Sequence, residues 1–500
     1  MKKPICFFVI LVLAAFDLPA QTDLIARIHF LGGDRIAADT NSPAFTNEFC
    51  SPEARAFESQ ILDKLSALPT AWFQAKLPVG TIDGPAQLRP LLDDFLKTEW
   101  CFEIRDATNG SPEYALAIRL DDGRAQLWSK NLRTLLESWT KISTQNTPEG
   151  WMLKKDLPPN LFEFSRKGDW VVLDCGQNEL PLGPELIGSV LKSTEANWLT
   201  VNLDWPRLAQ IYPALQTFDC PRFRFQMTGE GGNLHFDGQL NLAQPLPGLP
   251  DWQIPTNVIH GTFVSFTAGR GMGPWLQRQS WFEPFQLQPQ PEQFFTWALP
   301  QNPFGTFTAE PVPDATAALV RLGQDFDADT DWHRLFILPV KTTVADDKLF
   351  FGGIPFMVPS IQADRETNGA FLVGGFFPVP PGEGIIPDDL QKELNLPNLV
   401  YYHWEVTRDR LEELPRLSQL LLLITHHQQL GKKTPGAVWL NQIQPLLGAS
   451  VTAAAKSGPQ SVSFVRSAPV GLNAIELFLL VDWLESPTFP SLELPKAPDE

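Results

Sequence analysis

The stretch RFRFQMTGEGGNLHFDGQLNL, residues 222–242, decides the fold class. Phe223, Phe225 and Met227 alternate with Arg222, Arg224 and Gln226. Beyond Gly229-Glu230-Gly231-Gly232, the residues Leu234, Phe236, Leu240 and Leu242 resume the period of two. That period puts apolar side chains on one face of a strand and polar ones on the other. Two such runs joined by a Gly-rich break read as an antiparallel hairpin with one dry and one wet face.

Outward from the hairpin, strands are predicted at residues 25–30, 101–105, 114–120, 161–164 and 169–174, and helices lie between them. Ser51-Pro52-Glu53 is a helix start, with an N-cap hydroxyl, Pro in the first turn and an early acid. Phe57, Ile61, Leu65 and Leu68 follow at helical spacing. A second helix carries Leu88, Leu91, Leu92, Phe95 and Leu96, and a third carries Leu132, Leu135, Leu136 and Trp139. The fold class expected is α+β, antiparallel sheet packed with short helices.

The second half of the chain echoes the first. Residues 197–205 form a predicted strand entering a helix capped at Asp204, with Pro206, Arg207 and Leu208. Residues 398–406, followed by Arg408, Arg410 and Leu411, match them. Residues 168–173 have a counterpart at 369–374. Residues 25–30 with Gly33-Asp34-Arg35 pair with 258–266 and Gly269-Arg270-Gly271, and each half is expected to close on alternating strands, at 233–242 and 474–480. Matches in one order imply a duplication. The expected layout is a signal segment at 1–20, related halves at 21–248 and 249–486, and a frayed tail at 487–500. The seam is Pro245-Leu246-Pro247-Gly248-Leu249-Pro250.

The first residues read as an export signal: Lys2 and Lys3, an apolar run over 5–16, then Asp17-Leu18-Pro19-Ala20 before Gln21. The apolar run is short for a membrane span, and Cys6 lies too early to be a lipidated cysteine after a cleavage site. A periplasmic or secreted location is expected, with no membrane span in the mature chain. The net charge of −18 disfavours nucleic acid and anionic membrane surfaces, which it would repel. The 16 Trp and 35 Phe against 4 Tyr indicate large aromatic cores, with exposed rings available to sugars or apolar ligands. Cys50, Cys101, Cys175 and Cys220 allow up to two disulfides, and their gaps are too wide for a metal knuckle.

The sequence contains no nucleophile elbow, zinc-protease helix motif, phosphate-binding loop or paired-cysteine motif. Gly269-Arg270-Gly271-Met272-Gly273 lacks the helix-opening glycine of a dinucleotide site and reads as a tight turn. His403 and Glu405 share one face of a predicted strand, and His426-His427 follow the next helix. A metal site would need them to converge, whereas a His pair at a helix end is ordinarily solvated. Asp93-Asp94, Asp121-Asp122 and Asp388-Asp389 read as turn or helix-start residues, and Asp204 as an N-cap. Leu411, Leu414, Leu417, Leu420, Leu421 and Ile424 form an apolar helix stripe, read as core. No catalytic, cofactor-binding or metal residue is assigned.

The signal, Ala38-Asp39-Thr40-Asn41, Leu91-Leu92-Asp93-Asp94 and the Asp204–Leu208 junction give the chain a plan that resembles large secreted bacterial proteins of uncharacterised function. The resemblance implies export and an α+β build. The leading expectation is a non-catalytic binding or structural protein of the cell envelope, with an apolar ligand or an envelope protein as partner. The alternative is an envelope-polymer hydrolase using paired carboxylates.

Overall fold

A computed structural model describes residues 24–41, 47, 49–73, 84–106, 112–154, 161–176, 186, 197–217, 219–259, 262–273, 291–300, 305–328, 340–354, 357–366, 369–379, 387–424, 434–487 and 489–490. Residues 1–20, expected to be an export signal, His426-His427 and most of residues 487–500 lie outside the described residues. The side chains of Leu420–Ile424 do as well. The chain divides into two units. One takes the residues up to Gln216 with Cys220–Asn241 and Val481–Glu500, and the other takes Thr217–Asp219 and Leu242–Leu480.

The first unit contains β1 (Leu24–Phe30), α1 (Gly33–Ala37), α2 (Pro52–Phe73), α3 (Gly84–Lys97), β2 (Trp100–Asp106), β3 (Pro112–Arg119) and α4 (Asp122–Thr140). Then follow β4 (Gln145–Thr147), β5 (Gly150–Lys154), β6 (Leu161–Lys167), β7 (Trp170–Gly176), β8 (Leu199–Leu203), α5 (Trp205–Ile211), β9 (Arg222–Glu230) and β10 (Asn233–Asn241). Their pairings are all antiparallel and run in the order β4-β5-β6-β7-β3-β2-β1-β8-β9-β10. The helix starts obey the sequence signals. Ser51 Oγ accepts from the Ala54 N–H at 3.1 Å, and Asp204 caps α5 by accepting from the Arg207 N–H at 3.2 Å.

The second unit contains β11 (Ser265–Arg270), β12 (Gln293–Ala298), β13 (Thr306–Val312), α6 (Ala315–Ala328), β14 (Lys341–Ala345), β15 (Lys348–Gly352), β16 (Ser360–Glu366) and β17 (Gly369–Gly375). Then follow α7 (Asp388–Leu394), β18 (Leu399–Val406), α8 (Thr407–Ile424), α9 (Pro435–Ile443), β19 (Ala449–Lys456), β20 (Ser461–Ala468) and α10 (Ala474–Glu485), whose residues from Val481 on count with the first unit. Its pairings run β14-β15-β16-β17-β13-β12-β11-β18-β19-β20, again all antiparallel. That is the order of the first unit with ten added to each strand number.

Two sequence expectations are corrected. Residues 474–480 are helical, opening α10. Asn473 Oδ1 accepts from the Glu476 N–H at 2.8 Å, and Glu476 Oε2 accepts from the Asn473 N–H at 3.0 Å. Such a reciprocal cap outweighs a short apolar run. The counterpart of β1 is Ser265–Arg270 rather than residues 258–266, because Val258 and Ile259 turn back to bond the Pro255 carbonyl.

In the first unit, one sheet face carries the row Trp151–Phe164–Leu173–Leu116–Phe102–Ile28–Val201–Phe225, each residue opposite the next. It packs with Ala125 and Trp128 of α4, Leu91 of α3 and Leu208 of α5. On the face of the second unit that carries α6, the row across the matching strands reads Gly374–Thr308–Thr296–Thr267–His403–Thr452–Arg466. Apolar residues there fill the opposite face, through Phe266, Ala268, Phe295, Trp297, Phe307 and Phe371. A smaller core under α6 joins Leu319 to Leu349, Phe351 and Leu372. The two sheets thus share a strand order and differ in which face is greasy.

Candidate functional site

The polar row of the second unit gathers the side chains best placed for chemistry. Thr267 Oγ1 and His403 Nδ1 share a hydrogen bond of 2.8 Å across β11 and β18. His403 Nε2 lies 3.4 Å from Glu405 Oε2, the neighbour two residues along the same strand face. Both are buried, His403 at 7% exposure and Glu405 at 1%. Glu405 Oε1 accepts from the Ala474 N–H at 2.7 Å, so this carboxylate holds the first turn of α10. Burial alone would raise its pKa. His403, the Ala474 N–H and Thr407 outweigh burial and hold it below the usual carboxylate range.

Along the same row, Thr296 Oγ1 and Thr308 Oγ1 are 3.2 Å apart, and Arg466 Nε donates to Thr452 Oγ1 at 2.9 Å. Arg466 also forks onto both oxygens of Glu476, at 2.6 and 2.8 Å. Thr267, Thr296 and Thr308 are half-buried. Beside them Gly269 is bare, and a Cβ there would stand 2.3 Å from the Phe294 ring, so the ring lies across its backbone. Tyr401 is the direct partner of Gly269 on β18. Burial lifts the Tyr401 phenol to about 12 and the Glu310 carboxyl, two residues from Thr308, to about 7.

The first unit carries its polar row on the face away from α4: Glu163–Asp174–Ala115–Glu103–Arg27–Asn202–Arg224–Gln239. Glu103 is fully buried, receives Arg27 and is bonded by Arg105 Nε at 2.8 Å. At the acidic end, Glu113 Oε1 and Asp174 Oδ1 are buried without a hydrogen-bond partner among the described residues. Glu113 is 3% exposed and leans over Gly176, where a Cβ would come within 2.9 Å of its Cγ. Burial, then Glu163 and Glu113, push Asp174 up to about 7 against the pull of Lys167.

The other sequence candidates have structural posts. Asp94 takes Arg124 and the Trp128 indole at 2.8 Å each, Asp93 pairs with Arg89, and Asp121 caps α4. Asp122 pairs with Arg166, and Asp388-Asp389 open α7. Asp204 adds an ion pair with Arg222 at 2.9 Å. Gly271 has φ +71°, as a tight turn after β11 requires. Arg270 is buried, donating to the Leu399 and Pro250 carbonyls and lying 4.5 Å from the Trp252 ring. Cys50 is an exposed thiol, and Cys101 is a buried one whose pKa burial raises. Trp151, Trp198 and Trp297 are fully buried. Among the described residues no three His, Cys, Asp or Glu side chains are grouped to hold a metal ion, and no helix is long and apolar enough to cross a membrane. The hydroxyl row escaped sequence reasoning because its members, Thr308, Thr296, Thr267 and Thr452, come from four strands.

No protein-family model, curated protein or solved structure matches this chain.

Proposed function

We propose that the chain is an exported envelope protein, periplasmic or secreted, that binds a partner or ligand without transforming it, built from two halves related by duplication. One observation carries the binding reading. On the face bearing α4 in one unit and α6 in the other, the first unit lays down Leu116, Phe102, Ile28 and Val201. The second lays down Thr308, Thr296, Thr267 and His403. A face spent on a packed core in one half is a half-buried polar floor in the other, and a polar floor inside a fold costs stability unless something uses it. The ordered His403 and Glu405 support binding more than catalysis, because Glu405 is committed to the start of α10.

The common strand order supports duplication, and the inverted faces account for the weakness of the echo in sequence. The resemblance to large secreted bacterial proteins and the signal-like residues 1–20 support export. Native mass spectrometry of the protein purified from its own envelope fraction tests the binding reading. A mass excess lost on denaturation is expected, and a bare native mass would count against it.

The hydrolase reading keeps one specific support, the Glu113, Asp174 and Glu163 corner. A carboxyl that holds its proton near neutral pH beside a second acid is the pairing general acid–base chemistry uses. Release of reducing ends from envelope polysaccharide, abolished in Asp174→Asn, would establish it.

A further inference from the structure

The hydroxyl floor of the second unit has a chemistry that selects its occupant. Thr308, Thr296 and Thr267 each present one donor and two acceptor positions, and they stand side by side on adjacent strands. Such a row carries no fixed charge, so it does not discriminate for an ion. It suits a ligand that offers alternating donors and acceptors at the spacing of neighbouring strands, about 4.8 Å. The row is flanked by an aromatic strip: Phe294, folded over bare Gly269, and Tyr401 on the far side of the same glycine. An aromatic ring beside a hydroxyl row gives a flat ligand an apolar face to rest on and a polar edge to bond. Glu310 borders the floor with a carboxyl that burial brings close to half protonation at neutral pH, able to donate or accept. At the inner end sits His403, 93% buried by its 7% exposure, with Nε2 lacking hydrogen-bond geometry to any described residue.

We propose that Thr267, Thr296 and Thr308, with Phe294 and Tyr401 alongside, form a binding floor for a neutral oligosaccharide. The assignment rests on the binding reading and names its ligand class. A sugar ring has both an apolar C–H face and a rim of hydroxyls. A fatty chain would leave unused the hydroxyl positions that the Thr267–His403 and Thr296–Thr308 bonds do not take up, and a phosphate would meet no fixed cation among the three threonines, since Arg466 at the end of the polar row is held by Glu476.

The test uses the full mature chain with chitohexaose, cellohexaose and maltohexaose, followed by isothermal titration calorimetry at up to roughly millimolar ligand. At least one hexasaccharide is expected to bind. Thr296→Val, which keeps the shape and removes the hydroxyl, and Phe294→Leu are each expected to weaken it at least tenfold while circular dichroism stays native. Asp122→Asn, at an exposed position in the other unit, is expected to bind as the wild type does. Binding that ignores both substitutions overturns the site. If no hexasaccharide binds but native mass spectrometry shows a bound molecule, the saccharide assignment falls and the binding reading stands. If the native mass is bare as well, both fall.

Discussion

Glu163 of β6 and Asp174 of β7 stand directly opposite each other, acid facing acid across an antiparallel pair. Like charges in that relation destabilise a sheet, and here burial compounds the cost, so Asp174 keeps its proton up to about pH 7. Its folded pKa lies above the ordinary aspartate value of 3.8, so its stabilising contribution is complete below that value and is lost as pH rises through about 7. The wild type is expected to lose stability between these limits in urea titrations. Asp174→Asn should flatten much of the slope and gain about 1–3 kcal/mol at alkaline pH, after discounting for partial solvent access. Glu310 and Glu413, also raised to about 7 by burial, leave a residual slope of the same sign.

Glu103 depends on two arginines. With Arg105 replaced by Met, the fully buried carboxylate keeps Arg27 alone as a charged partner among the described residues. An under-compensated buried charge is costly, and Arg105→Met is expected to lose about 2–4 kcal/mol in equilibrium unfolding. The double variant Glu103→Gln, Arg105→Met should recover part of that loss.

Glu405→Gln tests the opposite pH sign. The wild-type carboxyl lies below the ordinary glutamate value of 4.5, so its contribution is present above that value and is lost as pH falls through the folded pKa. The variant should be about 1–3 kcal/mol less stable at neutral pH, and the gap should close in acid. Thermal unfolding followed at several pH values reads both.

Gly269→Ala would set a methyl group 2.3 Å from the Phe294 ring. The ring has to swing off the strand, at about 1–3 kcal/mol, and the near-ultraviolet circular dichroism should change while the far-ultraviolet spectrum holds. An unchanged near-ultraviolet spectrum would mean the ring does not lie over the glycine.

Local structure was legible wherever one side chain reports on its own neighbours. The alternation at Phe223, Phe225 and Met227 identified β9, and Ser51 and Asp204 marked helix starts they do cap. Relations across strands were not legible. Pairing residues 197–205 with 398–406 sets Asn202 against His403. Asn202 lies opposite Arg27 on the face away from α4, while His403 lies opposite Thr267 on the face bearing α6. A slip of one residue turns a strand over, and sequence similarity between halves with opposite greasy faces cannot reveal it. The floor threonines at 267, 296 and 308 are unremarkable in isolation and gain meaning only from register. The α10 misreading has the same root: apolar on every side, the helix offers no period, and only Asn473 and Glu476 announce it.

In each unit the earliest described strand sits inside its sheet, with a neighbour on either side. Ala26 pairs with Leu203, and Ser265 with Glu405, so β1 and β11 gain their second neighbour only after most of their unit has been made. Loop closure over such spans is slow, and a chain delivered from its N-terminus cannot lock either sheet early. Refolding from denaturant should therefore be slow, with each unit's first strand gaining amide protection only when β8 or β18 docks. Until then, the apolar faces of the unpaired strands stand open to chaperones and to aggregation alike.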